Sequence, residues 1–109
     1  YVGNGAASLG TPVFCGFKPA YVMIKKASST GNWVIYDSAR SPYNEADDQL
    51  LANTTAAETT GSEEIDFLAT GFRVRASDSD INSSNGFYVY AAFASNPFGA
   101  TDVPPATTF

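Results

Sequence analysis

Alternating apolar and polar positions predict a β-hairpin in the first third of the chain. Residues 20–25 and 32–36 are rich in β-branched and aromatic side chains, which is typical of strands. Residues 28–31 between them are Ser, Ser, Thr and Gly, which favour a turn. A single hairpin cannot bury its own apolar face, so further strands must cover it.

The other apolar runs predict five more strands. The clearest alternation places Phe72 and Val74 on an inward face and Arg73 and Arg75 on an outward face. The five predicted strands are residues 11–16, 49–55, 63–69, 71–76 and 87–94. The predicted polar connections are residues 38–48, 56–62 and 77–86.

Two of these strands have an expected place in the sheet. Pro12 has no backbone N–H, so the strand at residues 11–16 should lie at a sheet edge. Residues 87–94 are apolar on both faces, which predicts a central strand buried on both sides. The apolar positions of the most strand-like segments give a predicted core of Ile24, Ile35, Phe72, Val74, Phe87 and Val89.

Short strands separated by turn signals predict an all-β fold. No apolar run keeps a helical period, so helix should account for under about a tenth of the residues. The spacing favours an antiparallel β-sandwich of jelly-roll or Greek-key type. We expect one sandwich domain over residues 1–98, and an extended C-terminal tail or linker over the Pro- and Thr-containing residues 99–109.

The charge and composition exclude several classes of function. Six Lys and Arg stand against eleven Asp and Glu, and the net charge of −5 argues against nucleic acid or anionic membranes as partners. The absence of His excludes Ser-His-Asp triads and His-based zinc sites, and Cys15 is the only cysteine. No run is long and apolar enough to span a membrane. We expect no catalytic residues, no cofactor, no metal and no membrane insertion.

The second predicted strand and the connection after it carry the candidate ligand-binding residues. Aromatic rings beside amide, acidic and guanidinium groups are typical of glycan contacts, and these residues are Trp33, Tyr36, Arg40, Tyr43 and Asn44. Two alternatives stay open from the sequence. Trp33 could fill the core while the tyrosines seal its rim, and Arg40 could pair with Asp37.

The polar connection at residues 77–86 resembles the start of a calcium-binding loop. Asp78, Asp80 and Asn82 stand at alternate positions, as the oxygen ligands of such loops do. The pattern then fails, because Ser83 replaces the glycine and Val89 replaces the final glutamate of an EF-hand loop. We therefore interpret these residues as an ordinary strand connection.

Several sequence blocks together resemble a domain that recurs in the tail fibres of tailed bacteriophages, especially marine ones. The longest are YVGNG at residues 1–5, GFKPAYVMIK at 16–25, NWVIYDSAR at 32–40 and YVYAAFA at 88–94, with Asn53, IDFL at 65–68, GF at 71–72 and NPF at 96–98. The resemblance implies a β-rich virion module that acts outside the cell. It also implies a homo-oligomer, three-fold in most tail fibres, and it transfers no catalytic motif to this chain.

These observations lead to two hypotheses of different classes. The first is a structural and adhesive module of a phage tail fibre or related virion appendage, which attaches to the host through a cell-surface glycan. The second is a purely structural subunit of a virion surface or extracellular filament, with no ligand of its own. A glycan-degrading enzyme would need paired carboxylates in a cleft, which sequence spacing cannot show.

Overall fold

The structure is a computed structural model that describes residues 1–99 and residue 105, apart from the side chains of residues 62 and 63. Most of the predicted tail at residues 99–109 lies outside the described residues. Strands account for 41% of the structure and helix for 4%, which confirms the all-β prediction and its low helix content. The single described helix has four residues, and no helix in the described part is long and apolar enough to cross a membrane.

Seven strands and one short helix follow one another along the described chain. The strands are β1 (Pro12–Phe14), β2 (Tyr21–Lys26), β3 (Trp33–Asp37), β4 (Ala46–Leu51), β5 (Thr59–Leu68), β6 (Gly71–Val74) and β7 (Tyr88–Phe93), and helix α1 (Ser79–Asn82) lies between β6 and β7. The strands form one sheet in the order β1-β6-β5-β4-β3-β2-β7, and every pairing is antiparallel. The sheet curls into a half-barrel. The finer expectation of a sandwich stays a prediction.

The predicted central hairpin is confirmed as β2 and β3. Its register pairs Val22 with Tyr36 and Ile24 with Val34, and all four of these side chains are buried. Alternate residues of a strand point to opposite faces, so these four line the concave side of the sheet. The predicted edge position of β1, which begins at Pro12, is also confirmed.

The core fills the concave side of the curled sheet. Its members come from both halves of the sheet and from α1, and they are Val13, Val22, Ile24, Val34, Tyr36, Ala46, Ile65, Phe67, Phe72, Val74, Ile81 and Tyr88. Phe72 and Val74 are fully buried on β6, while Arg73 between them is partly exposed, as the alternation predicted. The pairing of β6 with β1 requires glycine at Gly71, because a Cβ there would overlap the Val13 carbonyl oxygen.

The N-terminal segment links the two edges of the half-barrel. The Tyr1 nitrogen donates to the Tyr88 carbonyl at 3.0 Å and the Tyr88 N–H donates to the Tyr1 carbonyl at 2.9 Å, beside an isolated bridge between Val2 and Phe87. Farther along, the Gly10 N–H donates to the Val74 carbonyl of β6 at 2.9 Å. The first eleven residues therefore contact β7 at one edge and β6 near the other.

Aromatic contacts on the concave side also connect the N-terminal segment, β6 and β7. The Tyr1 ring stacks on Tyr88 with centroids 5.0 Å apart and meets Phe72 edge-on at 6.0 Å. Phe72 also meets Tyr90 edge-on at 5.3 Å. Offset and edge-to-face pairs at these separations stabilise a core beyond simple burial. β6 and β7 thus contact each other through side chains although they lie near opposite edges of the sheet.

Asn82 is a fully buried polar residue at the end of α1. Its Nδ2 donates to Asn4 Oδ1 at 3.1 Å, to the Ala6 carbonyl at 3.1 Å and to the Ala76 carbonyl at 3.0 Å. Its Oδ1 accepts the Asn4 N–H at 3.0 Å. A buried amide is tolerated because each polar atom is hydrogen-bonded. This one side chain connects the N-terminal segment to the connection between β6 and β7.

Three sequence predictions are wrong at the borders of elements. β4 begins at Ala46, inside the predicted connection at residues 38–48, and β5 begins at Thr59, inside the predicted loop at residues 56–62. The ladder pairs Asp48 with Thr60 and Gln49 with Thr59. These polar residues form strands because the backbone makes the ladder bonds. The predicted loop at residues 77–86 contains α1, which is too short to show a helical period.

The prediction that residues 87–94 form a central strand buried on both sides is wrong. β7 lies at the edge of the sheet, and Phe87 and Val89 are 60% and 53% exposed. They are therefore not core residues, whereas Ile24, Phe72 and Val74 of the predicted core are fully buried. Ile35, also predicted as core, is half-buried on the convex side of β3.

The two phenylalanines predicted as core should differ sharply when truncated. Phe72→Ala removes a fully buried ring and should cost about 3–5 kcal/mol of unfolding free energy. Phe87→Ala is the matched control and should change the free energy by under about 0.5 kcal/mol, because most of its ring is already in water. Urea denaturation measures both, and equal losses would contradict the edge position of β7.

The buried amide of Asn82 should be needed for stability. Asn82→Ala leaves the Asn4 N–H and the partly buried carbonyl oxygens of Ala6 and Ala76 without their partner, so the unfolding free energy should fall by about 1–3 kcal/mol. The exposed Asn96 provides a control, and Asn96→Ala should have little effect. Urea denaturation midpoints of the two variants measure how much the Asn82 amide contributes to stability. A neutral Asn82→Ala would show that the N-terminal segment is held by other contacts.

Candidate functional site

The three candidate aromatic rings are not exposed together. Tyr36 is fully buried on the concave face of β3, and its hydroxyl oxygen accepts a hydrogen bond from Gln49 Nε2 at 3.2 Å. The prediction of a surface role for Tyr36 is therefore wrong. Trp33 lies on the opposite face of β3 and is 40% exposed, so it does not fill the core either. Tyr43 is 84% exposed in the connection between β3 and β4.

The connection between β3 and β4 lines a surface pocket of about 200 Å³. An aromatic ring, a cation, hydroxyls and an amide meet there, and the lining residues are Lys18, Ser38, Ser41, Pro42, Tyr43, Asn44 and Phe67. Of the predicted site residues, the structure brings Tyr43 and Asn44 together here. Lys18 and Phe67 come from other parts of the chain, so no local pattern in the sequence could have linked them to Tyr43.

Asn44 is tied to the end of β5 by its side-chain amide. Its Nδ2 donates to the Phe67 carbonyl at 2.9 Å, and its Oδ1 accepts the Phe67 N–H at 2.8 Å. A side chain that bonds both backbone groups of one residue acts as a substitute for a neighbouring strand. Asn44 therefore attaches the backbone directly after Tyr43 to the end of β5.

A second anchor lies at the other side of the same connection. The buried Ser41 donates from Oγ to Asp48 Oδ2 at 3.0 Å, and Thr60 Oγ1 donates to Asp48 Oδ1 at 2.8 Å. These bonds tie the connection to β4 and β5. Tyr43 is thus an exposed ring on a backbone that is held on both sides, by Ser41 and by Asn44.

Arg40 belongs to an ion-pair network and not to the pocket. Its Nε contacts Asp37 Oδ2 at 2.7 Å and its Nη1 contacts Glu58 Oε2 at 2.8 Å. The alternative that Arg40 pairs with Asp37 is therefore confirmed. Burial alone would raise the pKa of the Asp37 carboxyl, but the hydrogen bonds and the charge of Arg40 outweigh it, and the pKa is lowered.

Trp33 lines a different surface, a shallow apolar pocket of about 410 Å³. The other lining residues are Met23, Ala52 and Asn53. Asn53 Oδ1 accepts a hydrogen bond from the backbone N–H of Trp33 at 3.0 Å, while Asn53 Nδ2 donates to Asn32 Oδ1 at 3.0 Å. The amide beside the indole ring is therefore already engaged in holding the turn after β4 against β3.

The calcium-like residues each have a structural partner. Asp78 caps α1 by accepting the Asp80 N–H at 2.7 Å, and Asp80 Oδ2 accepts from Asn32 Nδ2 at 2.9 Å. Asn82, the third, is buried in the network described above. Within the described residues no group of three or more His, Cys, Asp or Glu side chains is arranged to hold a metal ion.

One pair of carboxylates does meet on the sheet surface. A hydrogen bond shared with Glu45 raises the pKa of Glu64, and burial and the charges of Glu45 and Asp47 add to the effect, while Arg75 opposes it. Arg75 also contacts Asp66 at 3.1 Å and Glu45 at 3.9 Å. Glu64 and Arg75 line a polar pocket of about 330 Å³, but Glu45 does not.

A comparison with protein families shows which family the chain belongs to. Residues 1–97 match a family described as a domain of unknown function, DUF7483. The chain belongs to this family. No significant match to this DUF7483 domain was found among curated proteins or among solved structures. The family description carries no activity, so the resemblance to phage tail fibres stays a prediction.

The ion pair on Asp37 should make the stability of the DUF7483 domain depend on pH. Because the folded pKa of Asp37 is lowered, its contribution is present above the unfolded pKa of about 3.9 and is lost as the pH falls through the folded pKa. Asp37→Asn should therefore destabilise the domain at neutral pH, and its difference from the wild type should shrink in acid. Urea denaturation across this range measures the difference.

Repeating the Asp37→Asn substitution in an Arg40→Ala chain tests whether Arg40 is responsible for the lowered pKa of Asp37. In an Arg40→Ala chain the carboxylate loses the side-chain hydrogen bond and the charge that lower its pKa. Asp37→Asn should then no longer show the same loss of stability at neutral pH. A pH-independent difference between the wild type and Asp37→Asn would contradict the assigned role of the pair.

Proposed function

We propose that this domain is a structural and adhesive module of a phage tail fibre or a related virion surface structure, and that it binds a cell-surface glycan through the Tyr43 pocket. The sequence resemblance supports the setting. One observation supports a ligand-binding role for the pocket: Tyr43 is 84% exposed on a connection held by Ser41 and Asn44. Such a ring offers a flat apolar surface at little cost in conformational entropy.

The groups around Tyr43 suit a sugar. Lys18 is an exposed cation, and Ser38 supplies a hydroxyl at the same pocket. A sugar has an apolar C–H face that can lie on the tyrosine ring and a rim of hydroxyls for the polar groups. Binding on a connection carried by a rigid sheet is the common arrangement for recognition sites.

The finer architecture is part of the same proposal. We propose that the curled sheet is a sandwich of jelly-roll or Greek-key type, with β1, β6 and β5 opposite β3, β2 and β7. The contact between Phe72 of β6 and Tyr90 of β7, at 5.3 Å between ring centroids, supports this arrangement. Two faces that meet across a shared core are the defining feature of a sandwich.

The second candidate, a purely structural subunit without a ligand, also has support. The convex face of β7 and its neighbours carries exposed apolar side chains, among them Val89, Phe93 and Trp33. Several large exposed apolar side chains on one face of a sheet are typical of a contact between proteins. Both candidates are non-enzymatic, without cofactor or nucleic acid, and both involve self-association on a virion or filament outside the cell.

Truncation of Tyr43 distinguishes the two candidates. If the pocket binds glycan, Tyr43→Ala should weaken binding to an array of bacterial surface polysaccharides by about tenfold and leave the melting temperature unchanged. Phe98→Ala removes another fully exposed ring, outside the pocket, and should leave binding intact. No binding by the wild type, or equal binding by Tyr43→Ala, would favour the structural subunit.

A further inference from the structure

The two edges of the sheet differ in how they resist pairing with another strand. β1 has three residues and begins with Pro12, two features that blunt an edge. β7 has six residues, YVYAAF, with no charge, no proline and no bulge in its pairing with β2. A long, uncharged edge strand is a template for strand addition. β7 is therefore the edge on which pairing with another chain is expected.

The backbone groups of β7 alternate between its two sides. The Phe87 and Phe93 carbonyls accept bonds from Ala27 and Ala20 on the β2 side, each at 2.7 Å. The groups of Tyr88 point to the other side, where Tyr1 binds both of them. By alternation, the N–H and C=O groups of Tyr90 and Ala92 also point away from β2. Of the strands in residues 1–99, only β2 pairs with this stretch, and none lies on its outward side.

We propose that β7 pairs antiparallel with β7 of a second copy of this chain, about a two-fold axis at Ala91. In this register Tyr90 lies opposite Ala92 of the second copy, and Ala92 lies opposite Tyr90 of it. The free N–H and C=O groups of Tyr90 and Ala92 then bond across the interface. Self-pairing is possible because an antiparallel edge is complementary to itself under a two-fold rotation.

The side chains fit this register. Small residues meet large ones or each other, since Tyr90 faces Ala92, Val89 faces Phe93 and Ala91 faces Ala91. The convex-face residues Val89 and Phe93, which are 53% and 58% exposed, thus cover one another. Cross-strand pairs of aromatic and β-branched side chains stabilise such ladders.

The neighbouring registers fit less well. A register centred on Tyr90 would place Ala92 opposite Tyr88, whose outward groups are already bound by Tyr1. A register centred on Ala92 would need Ala94 in the strand, but β7 ends at Phe93. The stretch from Val89 to Phe93 is the part left between these two limits. This pairing does not depend on glycan binding, and its two-fold symmetry differs from the three-fold association that the family resemblance implies.

A charge exchange at Ala91 tests both the pairing and its register. Sedimentation velocity over a wide concentration series should show a reversible dimer for the 109-residue chain. Ala91→Lys and Ala91→Glu each place like charges opposite one another, so each should raise the dimer dissociation constant by about tenfold. An equal mixture of the two variants should restore the dimer. Ala39→Lys, at an exposed turn residue, is the control and should dimerise as the wild type does.

A cysteine variant keeps the proposal testable if the charged variants fold poorly, which circular dichroism would show. Residues opposite one another at a non-hydrogen-bonded position have Cα atoms about 4.5 Å apart, within disulfide range. Ala91→Cys should therefore form a disulfide-linked dimer on mild oxidation, while Ala39→Cys and the wild type with its buried Cys15 should not. A monomer or trimer at all concentrations, undiminished dimerisation of Ala91→Lys, or failure of Ala91→Cys to cross-link would overturn the pairing.

Discussion

The fold depends on the N-terminal segment, residues 1–11, which closes the open side of the curled sheet between β7 and β6. The N-terminal segment binds the start of β7 through Tyr1 and the end of β6 through Gly10, and the buried amide of Asn82 holds Asn4 and Ala6 between these points. A buried amide is stabilising only when its hydrogen bonds are complete, so these contacts must form together. The aromatic side chains of Tyr1, Phe72 and Tyr88 pack on the inner side of the same closure.

This closure gives the surface connections a rigid support. The connection after β3 is held to β4 and β5 by Ser41 and Asn44, so Tyr43 is presented on a fixed backbone while its ring stays in solvent. Arg40, the residue directly before Ser41, is committed to Asp37 and Glu58. Within one short segment the structure thus separates residues that hold the loop from the one aromatic residue that is free to contact a ligand.

The same closure leaves the two edges of the sheet unequal. Tyr1 binds both backbone groups of Tyr88, and the backbone groups of Tyr90 and Ala92 point to the same outward side of β7. The other edge is short and begins with Pro12. The proposed glycan pocket at Tyr43 and the proposed pairing edge at β7 involve different residues, so the two proposals are compatible. The proposed pairing would cover Val89 and Phe93, which are exposed in the single chain.

The sequence by itself determined the local structure. The alternation around Phe72 and Val74, the hairpin of β2 and β3, the edge strand at Pro12 and the near absence of helix follow from side-chain periodicity and turn residues, which act over a few neighbours. Only the tertiary structure decided which strand lies at the edge, because the apolar pattern of β7 does not distinguish a buried central strand from an exposed edge strand. It also placed Tyr36 inside and Trp33 outside, since a shift of one position in a strand reverses the face of a side chain. The pocket beside Tyr43 and the burial of Asn82 depend on residues far apart in the chain, and no local pattern records such contacts.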